Sequence, residues 1–426
     1  MPYLLNLAYL LLLVVCLPWL LGTALRKGKY REGFGAKLLG RVPIRQGAER
    51  CVWLHAVSVG EVNLLGPLLV RLEQQHPDWV HVISTTTKTG FELAKKKYAP
   101  RTVFYCPLDF SWAVRTAMKR IRPNLLVLAE LELWPNLIWA AKRHGAKVAV
   151  VNGRLSDRSF RGYRRVRPFV ARLLQSLDAI AAQNDEYAAR FCQLGARPEI
   201  VQRTGSIKFD GAQTDRDNSK TRQLAEAAGI EPDDIVFLAG STQEPEEQLA
   251  LAVYRELAAA YPRLRLIVTP RHPERFQEVA ELLGRSGLAW QRRSRLDEGG
   301  GDPQARVLLV DAVGELGAWW GTARIAFVGG SMGTRGGQNM IEPAAYGAAV
   351  SFGPHTSNFR DVVGLMLQRQ AAVVVADREQ LAAFVRRCLA EPEFADDLGR
   401  RARQLVLEQL GAADKTCQIL ESLMSA

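Results

Sequence analysis

The chain has 426 residues, of which 48% are hydrophobic and 23% are charged, and its formal net charge is +12. This composition excludes a disordered or fibrous protein, and the length predicts two or three domains with full hydrophobic cores. The positive charge predicts an anionic partner: a membrane surface, a phosphorylated ligand or a nucleic acid. The six cysteines are scattered and lack C-x-x-C spacing. This pattern excludes a disulfide framework and is typical of a reducing compartment.

The N-terminal segment differs in composition from the rest of the chain. Residues 1–25 carry no charged side chain, whereas six basic residues follow within 26–41. Because roughly 20 apolar residues span a bilayer core and flanking positive charge stays cytoplasmic, the segment predicts a membrane anchor with a cytoplasmic body. A cleaved signal peptide would carry its positive charge before the apolar run. A helix lying in the membrane interface stays open, since Asn6, Pro18 and Trp19 interrupt the segment.

From Cys51 onward, short aliphatic runs alternate with amphipathic helical patterns, which is typical of parallel sheets covered by helices on both faces. The first half of the chain contains seven predicted strands: Cys51–Ala56, Val80–Thr85, Thr102–Tyr105, Leu125–Ala129, Lys147–Val151, Ala179–Ala182 and Ile200–Arg203. The second half contains six: Ile235–Ala239, Leu264–Thr269, Val307–Val310, Ile325–Val328, Ala349–Phe352 and Ala372–Val375.

A polar stretch without hydrophobic periodicity separates these two halves. The sequence therefore predicts an anchor at 1–25, a first α/β domain at 26–210, a linker at 211–222, a second α/β domain at 223–395 and a basic amphipathic helix at 396–426. Two doubly wound domains that face each other bind ligands in the cleft between them, beyond the carboxyl ends of their strands. Functional residues are expected directly after the predicted strands.

In the first domain, carboxylates follow two of these strands. Glu61 ends the motif His55-Ala-Val-Ser-Val-Gly-Glu61 and falls in the first turn of a helix. There it either complements the helix dipole or acts as a general base. Glu130 and Glu132 follow another strand, and paired like charges at such a position favour a functional role. Lys208, beside the predicted linker, suits a phosphate leaving group.

A basic and aromatic segment follows the strand at 147–151. Its arginines are Arg154, Arg158, Arg161, Arg164, Arg165 and Arg167, and the interleaved aromatic residues are Phe160, Tyr163 and Phe169. A solvated helix face would explain some of this charge. The density of arginine favours recognition of phosphate, on a lipid headgroup or on a nucleic acid.

Hydroxyl-rich and glycine-rich turns follow the strands of the second domain. The turn at Gly240–Thr242 precedes an acidic helix start and offers backbone N–H groups to an anion. Arg271 follows the next strand and is placed to reach a phosphate. After the strand Ile325–Val328 come two glycine-rich turns, and then Asn339 and Glu342 lie about one helical turn apart. A carboxylate at that position can accept both hydroxyls of a ribose.

Together, these motifs resemble the bacterial 3-deoxy-D-manno-octulosonic acid (Kdo) transferases over nearly the whole chain. The matching blocks, in order, are HAVSVGE, TTTKTG, AELELWPN, NGRLSDRS, GSIKFD, GSTQEPEE, PRHPERF, VGEL, FVGGS, GGQNMIEPAA and FGPHTSNF. The resemblance implies a GT-B fold, with two Rossmann-like domains facing a cleft and an N-terminal membrane-anchor helix. It implies inverting transfer of Kdo from CMP-Kdo to a bisphosphorylated lipid A precursor at the inner membrane, without a cofactor, a catalytic metal or a nucleic-acid partner.

The resemblance also implies roles for individual residues. Glu61 is implied as the general base, and Glu130 and Lys208 as groups that stabilise the transition state. The residues implied to hold CMP are Pro270, Arg271, Val313, Gly314, Glu315, Asn339, Met340, Ile341 and Glu342. Gln243 and Gln338 depart from the family pattern, because histidine is usual at both positions and glutamine carries no charge.

Three other functions are weighed against this one. The first is a GT-B transferase with a UDP- or GDP-sugar donor, which would need positive charge for two donor phosphates. The second is a two-lobed binding protein without catalysis. The third is a membrane-associated nucleic-acid binder, for which salt-sensitive binding would be expected.

Overall fold

The structure is a computed structural model that describes residues 2–27, 32–297, 302 and 304–425. Within the N-terminal helix, side chains are described for residues 3–18 only. Lys29 and Arg31 of the predicted basic flank therefore lie outside the described residues, as do the side chains of Arg26 and Lys27. The chain divides into two compact units, one formed by 1–211 with 409–426 and the other by 212–408.

The first unit is built on a parallel sheet with the strand order β3-β2-β1-β4-β5-β6-β7. Its strands are β1 (Cys51–His55), β2 (Val80–Thr85), β3 (Thr102–Tyr105), β4 (Leu125–Ala129), β5 (Lys147–Gly153), β6 (Ala179–Ala182) and β7 (Val201–Arg203). Both faces of this sheet are buried, since Trp53 packs into one apolar cluster while its neighbours Val52 and Leu54 pack into another. Helices cover the two faces, as continuous apolar strands require.

Two of the described helices precede the first strand of this sheet, and the other helices alternate with its strands along the chain. They are α1 (Pro2–Lys27), α2 (Phe34–Leu39), α3 (Val59–Gln75), α4 (Lys88–Tyr98), α5 (Ser111–Ile121), α6 (Pro135–Arg143), α7 (Asp157–Arg165), α8 (Arg167–Leu174) and α9 (Asp185–Leu194). The segment predicted as an anchor is thus a single helix of 26 residues with Pro18 inside it. Among the residues that the structure describes, no helix combines the length and the apolar character needed to cross a bilayer.

The second unit contains a parallel sheet with the strand order β10-β11-β9-β8-β12-β13-β14. Its strands are β8 (Ile235–Thr242), β9 (Leu264–Pro270), β10 (Trp290–Arg292), β11 (Val307–Leu309), β12 (Ile325–Val328), β13 (Ala349–Phe352) and β14 (Val373–Val374). The remaining helices are α10 (Ser219–Ala227), α11 (Glu246–Leu257), α12 (Phe276–Gly284), α13 (Arg293–Leu296), α14 (Leu316–Trp319), α15 (Ile341–Ala345), α16 (Arg360–Gln368), α17 (Arg378–Ala390), α18 (Pro392–Gln409) and α19 (Ala412–Ser425). The last of these, α19, belongs to the first unit and packs against α3.

The predicted α/β class and doubly wound sheets are confirmed, but two predicted boundaries are wrong. The linker at 211–222 is too long, because Asn218 caps α10 and residues 219–222 are already helical. The single C-terminal helix at 396–426 is two helices, which are separated at Gly411, a residue with a left-handed φ of 87°. The first of them begins at Pro392, since proline fits the first helical turn.

Candidate active site

In each unit the strand order reverses at one point, which is where sheets of this kind bind ligands. In the first unit this switch point lies between β1 and β4, and in the second it lies between β8 and β12. All these strands are parallel to their neighbours, so their carboxyl ends share one edge of each sheet. The segment leading to Glu61 leaves β1 at this edge, and the segment containing Glu130 leaves β4.

Glu61 closes a capping box at the start of α3. Its Oε1 accepts hydrogen bonds from Ser58 Oγ at 2.7 Å and from the Ser58 backbone N–H at 3.3 Å, while its Oε2 accepts one from the Val57 N–H at 2.9 Å. The Ser58 hydroxyl in turn accepts a hydrogen bond from the Glu61 N–H. The sequence left two roles open for this residue, and the structure shows that it does serve the helix N-terminus. With only one hydrogen bond given to Oε2, that oxygen keeps a lone pair for a further donor.

Three carboxylates influence one another at this switch point. Burial raises the pKa of Glu61, and the negative charge of Glu130 raises it further, against the hydrogen bonds that lower it. Burial and the charges of Glu61 and Glu130 together raise the pKa of Glu132 to about 7, against a hydrogen bond from Trp134 that lowers it. The structure thus brings together Glu61, Glu130 and Glu132, the three carboxylates that the sequence analysis named, although the family resemblance implied a role for only the first two.

Lys208 brings a positive charge to this cluster. Its Nζ lies 3.0 Å from Glu130 Oε1, so the structure unites all three predicted catalytic residues. Glu130 itself has a left-handed backbone with φ 54°, which is unusual for a residue other than glycine and concentrates at functional sites. The Glu130 N–H donates to the Val151 carbonyl at 2.9 Å, which holds this conformation in place.

Asn152 positions the turn that carries Lys208. Its Oδ1 accepts a hydrogen bond from the Ile207 N–H at 3.0 Å, and its carbonyl accepts one from Gln183 Nε2. Asn152 also has a left-handed φ of 53°, a conformation that asparagine tolerates better than most residues. Sequence reasoning missed this role, although an asparagine followed by glycine directly after the predicted strand Lys147–Val151 is a recognisable turn motif.

The arginine-rich segment forms α7 and its flanks. Phe160 and Tyr163 point toward the apolar cluster of the first unit, whereas Arg158, Arg161 and Arg164 are exposed. Burial and the charge of Glu132 raise the pKa of Tyr163, which places the inner face of α7 near the carboxylates. The outer face of α7 presents guanidinium groups to solvent.

In the second unit, Glu246 of α11 binds the backbone of the glycine-rich turn after β12. Its Oε2 accepts hydrogen bonds from the N–H groups of Gln243 (2.9 Å) and Gly330 (2.7 Å), and its Oε1 accepts them from Ser331 (2.8 Å) and Met332 (2.9 Å). These four N–H groups are therefore hydrogen-bonded within the protein. At Gly329 an added Cβ would meet Glu246 Oε2 at 2.7 Å, so the close approach is internal to the protein.

Three of the predicted CMP-binding residues, Arg271, Asn339 and Glu342, lie together near this turn. Arg271 Nε donates to Gln338 Oε1 at 3.2 Å, and Asn339 Nδ2 donates to Glu342 Oε1 at 2.9 Å. Burial raises the pKa of Glu342, and its bond from Asn339 and the charge of Arg271 lower it. Arg271, Gln338, Asn339 and Glu342 thus form one polar group after β9 and β12, and Pro270 ends β9 beside it.

The other residues predicted to bind CMP differ in how accessible their side chains are. Met340 and Ile341 have exposed fractions of 0% and 2%, so a ligand there would meet their backbone. The Glu315 carboxylate is bound by Arg293, with Oε2 lying 2.7 Å from Arg293 Nε. Val313 is 76% exposed, and Gly314 follows it with a left-handed φ of 91°. In the part of the chain that the structure describes, no three His, Cys, Asp or Glu side chains cluster as metal ligands would.

Solved structures share this two-unit fold at low sequence identity. The UDP-GlcNAc 2-epimerase from Neisseria meningitidis matches with a TM-score of 0.58 and 13% identity, over 87% of this chain and 100% of that chain. A glycosyltransferase from Rickettsia africae matches with a TM-score of 0.54 and 13% identity, over 89% of this chain and 99% of that chain. These likenesses confirm the predicted GT-B fold.

Relatives by sequence are much closer. Residues 29–211 match the family model for 3-deoxy-D-manno-octulosonic-acid transferase (kdotransferase). The 3-deoxy-D-manno-octulosonic acid transferase of Haemophilus influenzae is 32% identical over 97% of this chain and 97% of its own length. The enzyme of the same description from Bordetella pertussis is 35% identical over 95% of both. The chain therefore belongs to the 3-deoxy-D-manno-octulosonic acid transferase family.

Proposed function

We propose that this protein transfers Kdo from CMP-Kdo to a hydroxyl group of a bisphosphorylated lipid A precursor, with inversion and with Glu61 as the general base. The observation that carries this proposal is the buried Glu61 carboxylate, which lies at the switch point of the first unit beside the Glu130–Lys208 ion pair. Family membership supplies the transferred sugar, and CMP-Kdo follows as its donor.

The chemistry requires one base and no covalent intermediate. The acceptor hydroxyl gives its proton to Glu61 Oε2 while its oxygen bonds to the anomeric carbon of Kdo. The bond from that carbon to the phosphate oxygen breaks, and CMP leaves with the electron pair. Because one displacement occurs, the anomeric centre inverts. A raised pKa makes Glu61 a stronger base, and such a base contributes roughly 10²–10⁴-fold to the rate.

Positive charge then has to balance the charge that develops on the CMP phosphate. Lys208 in the first unit and Arg271 in the second are the two predicted cations with polar partners at their switch points. Fixed charges of this kind act on the transition state without reorganisation, which supports a reaction without a catalytic metal. Asn339 and Glu342 are proposed to hold the cytidine ribose, since a carboxylate can accept both of its hydroxyl groups.

The acceptor is proposed to be a phosphorylated lipid at the cytoplasmic face of the inner membrane. The exposed arginines of α7 suit phosphate groups, because guanidinium binds phosphate oxygens in pairs. The apolar helix α1 suits attachment to the membrane surface, with nine of its large apolar side chains exposed by 41–77%.

The direct test is to incubate the full chain with CMP-Kdo and a bisphosphorylated lipid A precursor and to weigh the lipid product. The proposal predicts a lipid heavier by one or more Kdo residues and an equal amount of released CMP. UDP- and GDP-sugars serve as control donors, and release of UDP or GDP without any CMP release would contradict the donor assignment. An unchanged lipid mass would contradict the acceptor assignment.

A further inference from the structure

Polar side chains hold the N-terminal helix α1 against the first unit. Asn6 is 6% exposed, its Nδ2 donates to Ser111 Oγ at 2.7 Å, and its Oδ1 accepts from the Ser111 N–H at 2.9 Å. One turn later, Tyr9 OH donates to Asp109 Oδ2 at 3.0 Å. Asp109 also accepts hydrogen bonds from the first backbone N–H groups of α6. One face of α1 is thus fixed to the body of the unit by specific bonds, which a purely apolar anchor would not need.

An apolar groove runs beside this attachment. Its volume is about 290 Å³. That is about twice the ~150 Å³ cavity that takes up benzene in a protein core. Leu12, Leu13 and Cys16 of α1 form one wall, and Leu108, Phe110 and Trp134 form the wall on the body. Asp109 also lines the groove, but its carboxylate is engaged by Tyr9 and by α6.

The groove adjoins the carboxylate cluster through Trp134. The Trp134 indole Nε1 donates to Glu132 Oε2 at 2.8 Å, so the body wall of the groove and the candidate active site share one short loop. The leucines of this loop and the inner face of α7 pack into the same apolar cluster. An apolar groove, three carboxylates and exposed arginines are therefore gathered in one part of the first unit.

We propose that this groove binds an acyl chain of the lipid acceptor. This inference rests on the proposed function and adds a specific place for the lipid tail. The apolar walls suit a hydrocarbon chain, because each CH₂ group that leaves water for an apolar site favours binding. Continuity with the carboxylate cluster favours the acceptor over an unrelated lipid, because the headgroup of the same molecule has to present its hydroxyl to Glu61. The arginines of α7 offer charge complementary to the acceptor phosphates.

The test uses the full chain and a bisphosphorylated lipid A precursor that carries a diazirine in one acyl chain. Irradiation followed by mass spectrometry of peptides is expected to show labelling at Leu108–Phe110 on the body wall. Leu12→Trp narrows the groove and is expected to lower this labelling about tenfold, as a loss of ~1.4 kcal/mol in binding would. The matched control is Leu11→Trp, since Leu11 and Leu12 are 60% and 61% exposed but only Leu12 lines the groove.

Three results would overturn the proposal: labelling confined to the outer side of α1, equal labelling in the two variants, or equal labelling of the body wall by a phosphatidylcholine with the same diazirine. The last result would assign the groove to a bilayer lipid. In turnover, Leu12→Trp should raise KM for the acceptor with kcat unchanged, relative to Leu11→Trp. A protein that bound the probe in the groove but transferred no Kdo would refute the proposed function and leave the groove assignment standing.

Discussion

The Glu61 carboxylate is bound by its own helix start, and this limits which variants can report on its chemistry. Ser58 and Val57 donate three hydrogen bonds to it. Alanine at this position would remove the capping box together with the base, whereas glutamine at the same helical position keeps a capping box. Substitution by alanine therefore removes both the base and the helix cap, whereas substitution by glutamine removes the base and keeps a cap.

We accordingly expect Glu61→Ala to lower the free energy of unfolding of the first unit by about 0.5–2 kcal/mol, the range for a lost N-terminal cap. Glu61→Gln is expected to lower it less, because its Oε1 can still accept hydrogen bonds. Chemical denaturation of both variants measures the difference. Equal stability of the alanine variant and the wild type would show that the capping box contributes nothing.

Glu130 provides a second prediction at the scale of one residue. Its negative charge raises the pKa of Glu61. In Glu130→Gln this charge is absent, so Glu61 should lose its proton at a lower pH. The acidic limb of the pH profile of kcat/KM should therefore move to lower pH.

The control for that profile is Glu199→Gln, which removes an exposed carboxylate that follows α9. It should leave the acidic limb in place. An acidic limb that moves upward in Glu130→Gln, or not at all, would contradict the coupling of Glu130 and Glu61.

At the scale of elements, hydrophobic periodicity predicted the central strands well. Leu125–Ala129 and Ile325–Val328 are strands with those same bounds, because buried parallel strands are continuously apolar. The edge strand β10 (Trp290–Arg292) was not predicted, since its three residues include Gln291 and Arg292 and it gains its order by pairing with β11. Pairing of this kind is a tertiary effect that local sequence does not contain.

The glycine-rich turn of the second unit shows a further limit of sequence reasoning. Three N–H groups of the turn bind Glu246, and the same carboxylate also accepts the N–H of Gln243. The acidic start of α11 was visible in the sequence, whereas its partner lies 84 residues further along the chain. Local patterns predict that a carboxylate will sit at a helix start, and they do not identify the backbone that it binds.

Glu246→Gln tests this tie between α11 and the glycine-rich turn. Each Glu246 oxygen accepts two N–H groups, so either orientation of the amide turns its NH₂ group toward two buried donors. We expect a loss of about 1–3 kcal/mol in the free energy of unfolding of the second unit, together with weaker CMP binding. Calorimetry measures both quantities.

The matched control is Glu244→Gln, an exposed carboxylate in the same connection, which should change neither quantity. Wild-type stability in Glu246→Gln would show that the turn does not depend on this carboxylate.

At the scale of the whole molecule, the family could be predicted from the ordered motifs, whereas the pKa shifts of the carboxylates could not. Glu61, Glu130 and Lys208 are far apart in sequence, and their meeting follows from the order of the parallel strands. Neither the raised pKa of Glu132 nor the fixed conformation of Asn152 can be read from local sequence, because both result from burial and long-range hydrogen bonds.

The pH dependence of stability is a prediction at this scale. A carboxyl group whose pKa rises from 4.5 to about 7 on folding stabilises the folded state fully below pH 4.5, and this contribution is lost as the pH rises through about 7. The wild type should therefore lose stability relative to Glu132→Gln between about pH 4.5 and about pH 7. Thermal unfolding of both proteins across this range measures the change. A constant difference in Tm would contradict the raised pKa.

The most direct test of the account is Kdo transfer by Glu61→Gln, measured with CMP-Kdo and the bisphosphorylated lipid A precursor. We expect transfer to fall by roughly 10²–10⁴-fold, the contribution of a general base, while CMP binding and Tm stay close to those of the wild type. Transfer at nearly the wild-type rate by a variant that is folded and binds CMP would contradict the role of Glu61 as the base.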